Sequence, residues 1–182
     1  DEFMISCWAK PSSDATVRAF VAAGFNTVSG DATSLELCRK HGLKVIYRAD
    51  TPEEARALAD DLAILGWWVR DEPKEEQFAE VGAEVAALHE ADPTRFAYVN
   101  LMAWMNLDNY LEVVKPRVLS YDYYQWWWGD ANHFWRLEAH RNAALKAGIP
   151  LICWVEGTSD RRWEWGEKGQ SYLPDNMPKL RQ

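Results

Sequence analysis

The sequence predicts an α/β fold, on three observations. Short apolar runs alternate with helical stretches along the whole chain, and strict βαβα alternation marks a parallel sheet with helices packed on it. Runs such as Val45-Ile46-Tyr47 are apolar at every position, which suits parallel strands buried on both faces. The third is a recurring junction in which a helical stretch ends in glycine and an apolar run follows at once: Gly24-Phe25-Asn26-Thr27-Val28, Gly42-Leu43-Lys44-Val45, Gly66-Trp67-Trp68-Val69 and Gly148-Ile149-Pro150-Leu151. Glycine is the usual residue just past a helix, where the backbone turns left-handed.

Taken in order, a strand near 4–8 precedes a helix near 13–23 that stops at Gly24, and a strand near 26–29 precedes a helix near 33–41 that stops at Gly42. After a strand near 44–49, Thr51 and Pro52 fit an N-cap followed by proline at the first helical position, with Glu53 and Glu54 in the first turn. That helix is predicted over 52–65, stopped by Gly66, and the fourth strand over 67–71. The helix near 75–91 carries Phe78, Val81, Val85 and Leu88 on one stripe, as a helix covering a sheet does. Strands near 96–101 and 117–122 flank a helix near 107–114, and a helix near 131–147 leads through Gly148 to a strand near 151–155.

That makes seven strands. A Trp- and charge-rich loop, 157–174, follows, and Asp175 to Gln182 reads as the cap and first turn of another helix. A closed eight-stranded barrel averages about 250 residues, and this chain has 182. The expectation is a TIM (β/α)8-type barrel that is incomplete, one domain over 1–182, with the eighth strand missing. The edges of the first and seventh strands would be open, which invites pairing with another copy or another chain.

Composition narrows the partners. A formal charge of −8 argues against nucleic acid and anionic membranes, and no apolar run approaches the roughly 20 residues that span a bilayer. Asp1-Glu2-Phe3-Met4 lacks the basic start and apolar stretch of a signal peptide; the chain is therefore unexported, or secreted or periplasmic with its leader already removed. Cys7, Cys38 and Cys153 show no Cys-x-x-Cys spacing and read as free thiols. There are 11 tryptophans. Trp67 reads as core filler, but 11 exceeds what one core of this size needs, and several stand where loops begin, as platforms for sugar rings would.

The chemistry is carried by two glutamates. Trp67-Trp68-Val69-Arg70-Asp71-Glu72-Pro73 closes the fourth strand and Leu151-Ile152-Cys153-Trp154-Val155-Glu156-Gly157 the seventh. In a β/α barrel, catalytic groups come from the carboxyl ends of strands. Alternation puts Glu72 in phase with Trp68 and Arg70, and Glu156 in phase with Ile152 and Trp154, all toward the barrel axis. Two carboxylates facing each other about 5 Å apart are the equipment of a retaining glycosidase, one donating a proton and one attacking. A single strand-end Glu is more often a solvated charge; two, each closing an apolar strand and followed by Pro or Gly, shift the reading to catalysis.

On these motifs the chain resembles clan A of the glycoside hydrolases, (β/α)8 barrels, and is most similar to β-galactosidase-like bacterial members. In that clan the acid/base Glu ends the fourth strand, commonly as Asn-Glu-Pro, and the nucleophile Glu ends the seventh. The resemblance implies that Glu72 is the acid/base, Glu156 the nucleophile, and the substrate a β-linked oligo- or polysaccharide. It also implies that Tyr123 or Tyr124 approaches the nucleophile. Asp71 departs from the clan's Asn and can only accept when ionised. The clan's eighth-strand Trp has no counterpart.

Around this pair the expected substrate-binding residues are Trp8, Arg48, Asp71, Asn100, Tyr124, Trp126 and Trp154, with Trp127, Trp128, Trp163 and Trp165 as further stacking surfaces and Tyr121 and Tyr123 lining the pocket or its rim. Arg48 and Arg70 need acidic partners if buried; Asp50, Asp71, Asp122, Glu72 and Glu156 are candidates, in a structural ion pair or one that tunes the site. His41, His89, His133 and His140 lie in or next to helices, so no metal site is expected. No phosphate-binding glycine loop, Schiff-base lysine or Gly-x-Ser-x-Gly elbow appears, and no cofactor is expected. The alternative is a non-catalytic carbohydrate-binding or degenerate barrel that pairs with another chain to complete the fold.

Overall fold

A computed structural model of the chain describes residues 3–124 and 132–155. Within them β1 (Ser6–Cys7), α1 (Asp14–Ala22), β2 (Thr27–Gly30), α2 (Ala32–His41), β3 (Lys44–Tyr47) and α3 (Pro52–Ala57) alternate. They are followed by β4 (Ile64–Asp71), α4 (Phe78–Ala91), β5 (Phe96–Met102), α5 (Leu107–Val114), β6 (Leu119–Tyr123), α6 (His133–Ala147) and β7 (Leu151–Val155). All neighbouring strands pair in parallel in the order β1 to β7, an open half-barrel of the β/α type. No described helix is long and apolar enough to cross a membrane.

Local signals set most boundaries. Ser13, Asp31 and Thr51 cap α1, α2 and α3 by accepting from Thr16, Thr33 and Glu54 backbone N–H groups at 3.2, 2.9 and 3.2 Å, which satisfies donors that a helix start leaves free. Gly24, Gly42 and Gly148 have φ of +87°, +73° and +67°, the left-handed turn that the glycine junctions predicted.

The fourth junction is different. The helix expected over 52–65 ends at Ala57, and Ile64-Leu65-Gly66 already belongs to β4. Gly66 is therefore no helix stop: a Cβ there would lie 2.4 Å from Phe96 Cε2, so glycine serves close packing between β4 and β5. Gly66→Ala is expected to destabilise the fold by about 1–3 kcal/mol, readable as a lowered urea midpoint with an unchanged m-value.

Two apolar layers result. The outer one lies between sheet and helices and contains Val28, Val45, Trp67, Val99, Leu119 and Tyr121 with Phe78, Val81 and Val85 of α4. The inner one is smaller: Ile46, Tyr98 and Trp154, with Met4, Trp68, Phe96 and Ile152 against them. Trp8, just after β1, meets Trp154 of β7 edge to face at 4.7 Å between centroids. The sheet thus curls far enough for inner side chains of its two edge strands to touch.

Candidate active site

A bulge decides what faces the barrel mouth. Between β4 and β5, Trp68 pairs with Tyr98, then Arg70 with Val99 and Asp71 with Asn100, so Val69 is the extra residue. An extra residue reverses the alternation beyond it. Trp68 and Asp71 both face inward, and Arg70 faces out, where its guanidinium pairs with Glu80 and Glu84 of α4. The expected phase of Trp68 with Arg70 is therefore wrong, and Arg70 belongs to the outer face with partners that the sequence reading did not consider.

The inner residues of β5, β6 and β7 form one polar network above the aromatic floor. Asn100, fully buried, donates to Asp71 Oδ1 at 3.2 Å and accepts from Ser120 Oγ at 3.1 Å. Tyr98 and Ser120 hydroxyls share a hydrogen bond of 2.9 Å, and the Trp154 indole N–H donates to the Tyr98 hydroxyl. Tyr124 donates to Asp122 Oδ2 at 3.0 Å. The floor beneath is aromatic: Trp68 stands 5.1 Å from Trp8 and 5.2 Å from Tyr98, centroid to centroid.

Glu72 stands at the end of β4 with φ +43°, a left-handed conformation that costs a non-glycine residue about 1 kcal/mol or more. Its backbone N–H donates to the Asn100 carbonyl at 2.9 Å, which holds the turn in place. Glu72 and Asp71 are open to solvent, yet the protein below removes part of their hydration. That desolvation raises the Glu72 pKa, and the charges of Asp122 and Asp71 raise it further. For Asp71, desolvation raises the pKa and the Asn100 amide draws it back. Asp122 is raised mainly by burial, against hydrogen bonds from Tyr124 and Asn100. Three acids thus share one corner of the mouth with their protons held more tightly than usual.

The other predicted residues divide. Trp8, Asp71, Asn100, Tyr124 and Trp154 are brought together by the ring contacts and the polar network just described. Arg48 lines a hollow beside Trp8 and Trp68, but it is exposed, and none of the described acids proposed for it pairs with it. Tyr121 and Tyr123 do not line the mouth: Tyr121 stacks on His140 of α6 at 3.8 Å and Tyr123 on His133 at 6.4 Å, both on the outer face. Glu156, Trp126, Trp127, Trp128, Trp163 and Trp165 lie outside the described residues. Sequence reasoning missed Tyr98 and Ser120 and treated Asp122 only as an ion-pair partner. The signal for Ser120 and Asp122 was polar residues at every second place, Ser120-x-Asp122-x-Tyr124, and that for Tyr98 was its place two residues before Asn100 in β5. No group of three metal-binding side chains occurs among the described residues.

The fold and mouth define a β/α-barrel protein. Solved structures with this architecture include a glycoside hydrolase family 2 β-galacturonidase from Eisenbergiella tayi, 14% identical over 84% of this chain and 35% of that one, with a TM-score of 0.65. A β-glucuronidase from Bacteroides uniformis is 15% identical over 88% of this chain and 26% of its own, with a TM-score of 0.60. A second E. tayi β-galacturonidase structure shows 18% identity, coverage of 80% and 31%, and the same score of 0.60. The likeness is one of fold: the chain shares the β/α-barrel architecture of those proteins and spans about a quarter to a third of their length. No known family and no curated protein matches its sequence.

Proposed function

We propose that the chain is the barrel segment of a retaining O-glycoside hydrolase of clan A type, β-galactosidase-like, acting on a β-linked oligo- or polysaccharide. The observation that carries this reading is Glu72, held in a strained turn at the mouth with its pKa raised by desolvation and by Asp122 and Asp71. A general acid must keep its proton near working pH, and those are the forces that keep it there.

In this reading Glu156 follows β7, whose inner residues are Ile152 and Trp154, and attacks the anomeric carbon while Glu72 protonates the leaving oxygen. Glu72 then takes a proton from the water that releases the sugar. Asp71, fixed by Asn100, accepts a hydrogen bond from a sugar hydroxyl. Trp8, Trp68 and Trp154 offer apolar faces to the ring, with Trp126 as a further wall. The chemistry needs no cofactor.

A panel of nitrophenyl β-glycosides tests the proposal: hydrolysis with retention of anomeric configuration supports it, and inversion or no turnover by the folded chain refutes it. The pH profile offers a second check. Activity requires protonated Glu72, so kcat/KM falls as pH rises through its raised pKa. Asp122→Asn removes a negative charge beside it, lowers that pKa, and is expected to move the alkaline limb to lower pH.

Among the described residues the β1 and β7 edges do not pair with each other, which favours a second reading, a carbohydrate-binding or degenerate barrel completed by another copy or chain. It is supported if sugars bind without turnover and the chain sediments as a dimer.

A further inference from the structure

The mouth is electrically divided. Over β4 to β6 stand the three acids Asp71, Glu72 and Asp122, close enough that the charges of Asp122 and Asp71 raise the Glu72 pKa and the charge of Asp71 raises that of Asp122. Over β1 to β3 lies a hollow of about 340 Å³ whose lining includes Trp8, Lys10, Asp31, Ile46, Arg48 and Trp68. Lys10 is paired with Asp31, so those two charges cancel. Arg48 is left as the uncompensated charge: its backbone N–H donates to Gly30 at 2.9 Å, while its guanidinium makes no ion pair with any described acid.

An exposed arginine is ordinarily a solvated one. Three features set this one apart. It stands at a strand end inside a concavity rather than on a convex surface. Two indoles and Ile46 share that concavity, and apolar walls strengthen a charge pair by displacing water. The opposite half of the mouth repels anions, so a negatively charged group is welcome only on the Arg48 side.

We propose that this half of the mouth takes the carboxylate of an acidic sugar, with Arg48 as its partner. The planar fork of a guanidinium matches the two oxygens of a carboxylate, which a neutral hydroxymethyl cannot do. The charge division also orients the substrate, carboxylate over β3 and anomeric end toward Glu72. The inference deepens the proposed function of the same mouth and names its substrate class.

The test is titration calorimetry of the 182-residue chain with glucuronate and galacturonate against glucose and galactose. The acids are expected to bind at least about tenfold more tightly, with the gap closing in Arg48→Gln and narrowing at high salt. Arg48→Lys should keep part of it, as a point charge without the fork. Arg48 is exposed, so these variants should keep the wild-type circular dichroism spectrum. Equal affinities, no binding of either acid, or a gap that survives Arg48→Gln overturns the proposal. Galactose 6-sulfate binding as tightly as galacturonate overturns the carboxylate assignment. Hydrolysis separates this inference from the reading beneath it. Cleavage of neutral nitrophenyl glycosides as fast as uronides overturns the inference alone, and an acid preference without any turnover overturns the enzyme reading alone.

Discussion

Glu72→Gln is expected to lower glycoside cleavage by about 10²–10⁴-fold, the range that a general acid supplies. The loss should depend on the leaving group. A dinitrophenolate departs without a proton, so the first step on that substrate stays fast and the glycosyl-enzyme accumulates. Added azide needs no general base and should then restore turnover with a retained glycosyl azide. Glu156→Gly should lose activity on every substrate, and azide there should give the inverted product, because it replaces the nucleophile itself. Activity unchanged in either variant would remove the role assigned to that residue. The turn adds an independent readout. Glu72→Gly relieves the left-handed strain and is expected to leave the fold as stable as wild type, or more stable by up to about 1 kcal/mol. Stability kept while activity vanishes is what a residue strained for function should show.

The largest expected loss of stability is at Trp67. Its side chain is fully buried on the outer face of β4, edge to face with Tyr47 at 6.1 Å between centroids. The indole N–H donates to Asp92 Oδ2 at 3.0 Å, and Arg95 lies over the ring at 6.0 Å. Trp67→Ala removes this packing, leaves a cavity under α3 and α4, and is expected to cost about 3–5 kcal/mol. Trp67→Phe should cost less, chiefly the donor that it takes from Asp92. Denaturant unfolding followed by circular dichroism checks both. Asp92 makes the region acid-sensitive. Burial would raise its pKa, but hydrogen bonds from Thr94 and Arg95, with one from Trp67, bring it down to about 2. A depressed carboxylate pKa contributes stability that is fully present above the unfolded value near 4 and lost as pH falls toward 2. Wild-type stability should therefore drop across that window, and Trp67→Phe should drop less.

The strand order, the Thr51 cap and three of the four glycine junctions were legible because each depends on a few neighbouring residues. The fourth junction was not, since Gly66 looks the same to its neighbours whether it ends a helix or makes room for Phe96, thirty positions along the chain. The inner face of β6 was half legible: Asp122 was noticed, but its place beside Glu72 depends on how far β4 and β6 are brought together by the β5 strand between them.

The amino-acid sequence alone determined the alternating β/α architecture and that Glu72 closes the fourth strand, because hydrophobic period, capping and turn chemistry are local properties. Which residues around Glu72 face the mouth was decided only in three dimensions. One extra residue at Val69, defined by pairing with β5, sends Arg70 to the helices and Asp71 to Asn100. Side-chain direction beyond a bulge is set by the partner strand's hydrogen bonds, and no pattern within the bulged strand records it.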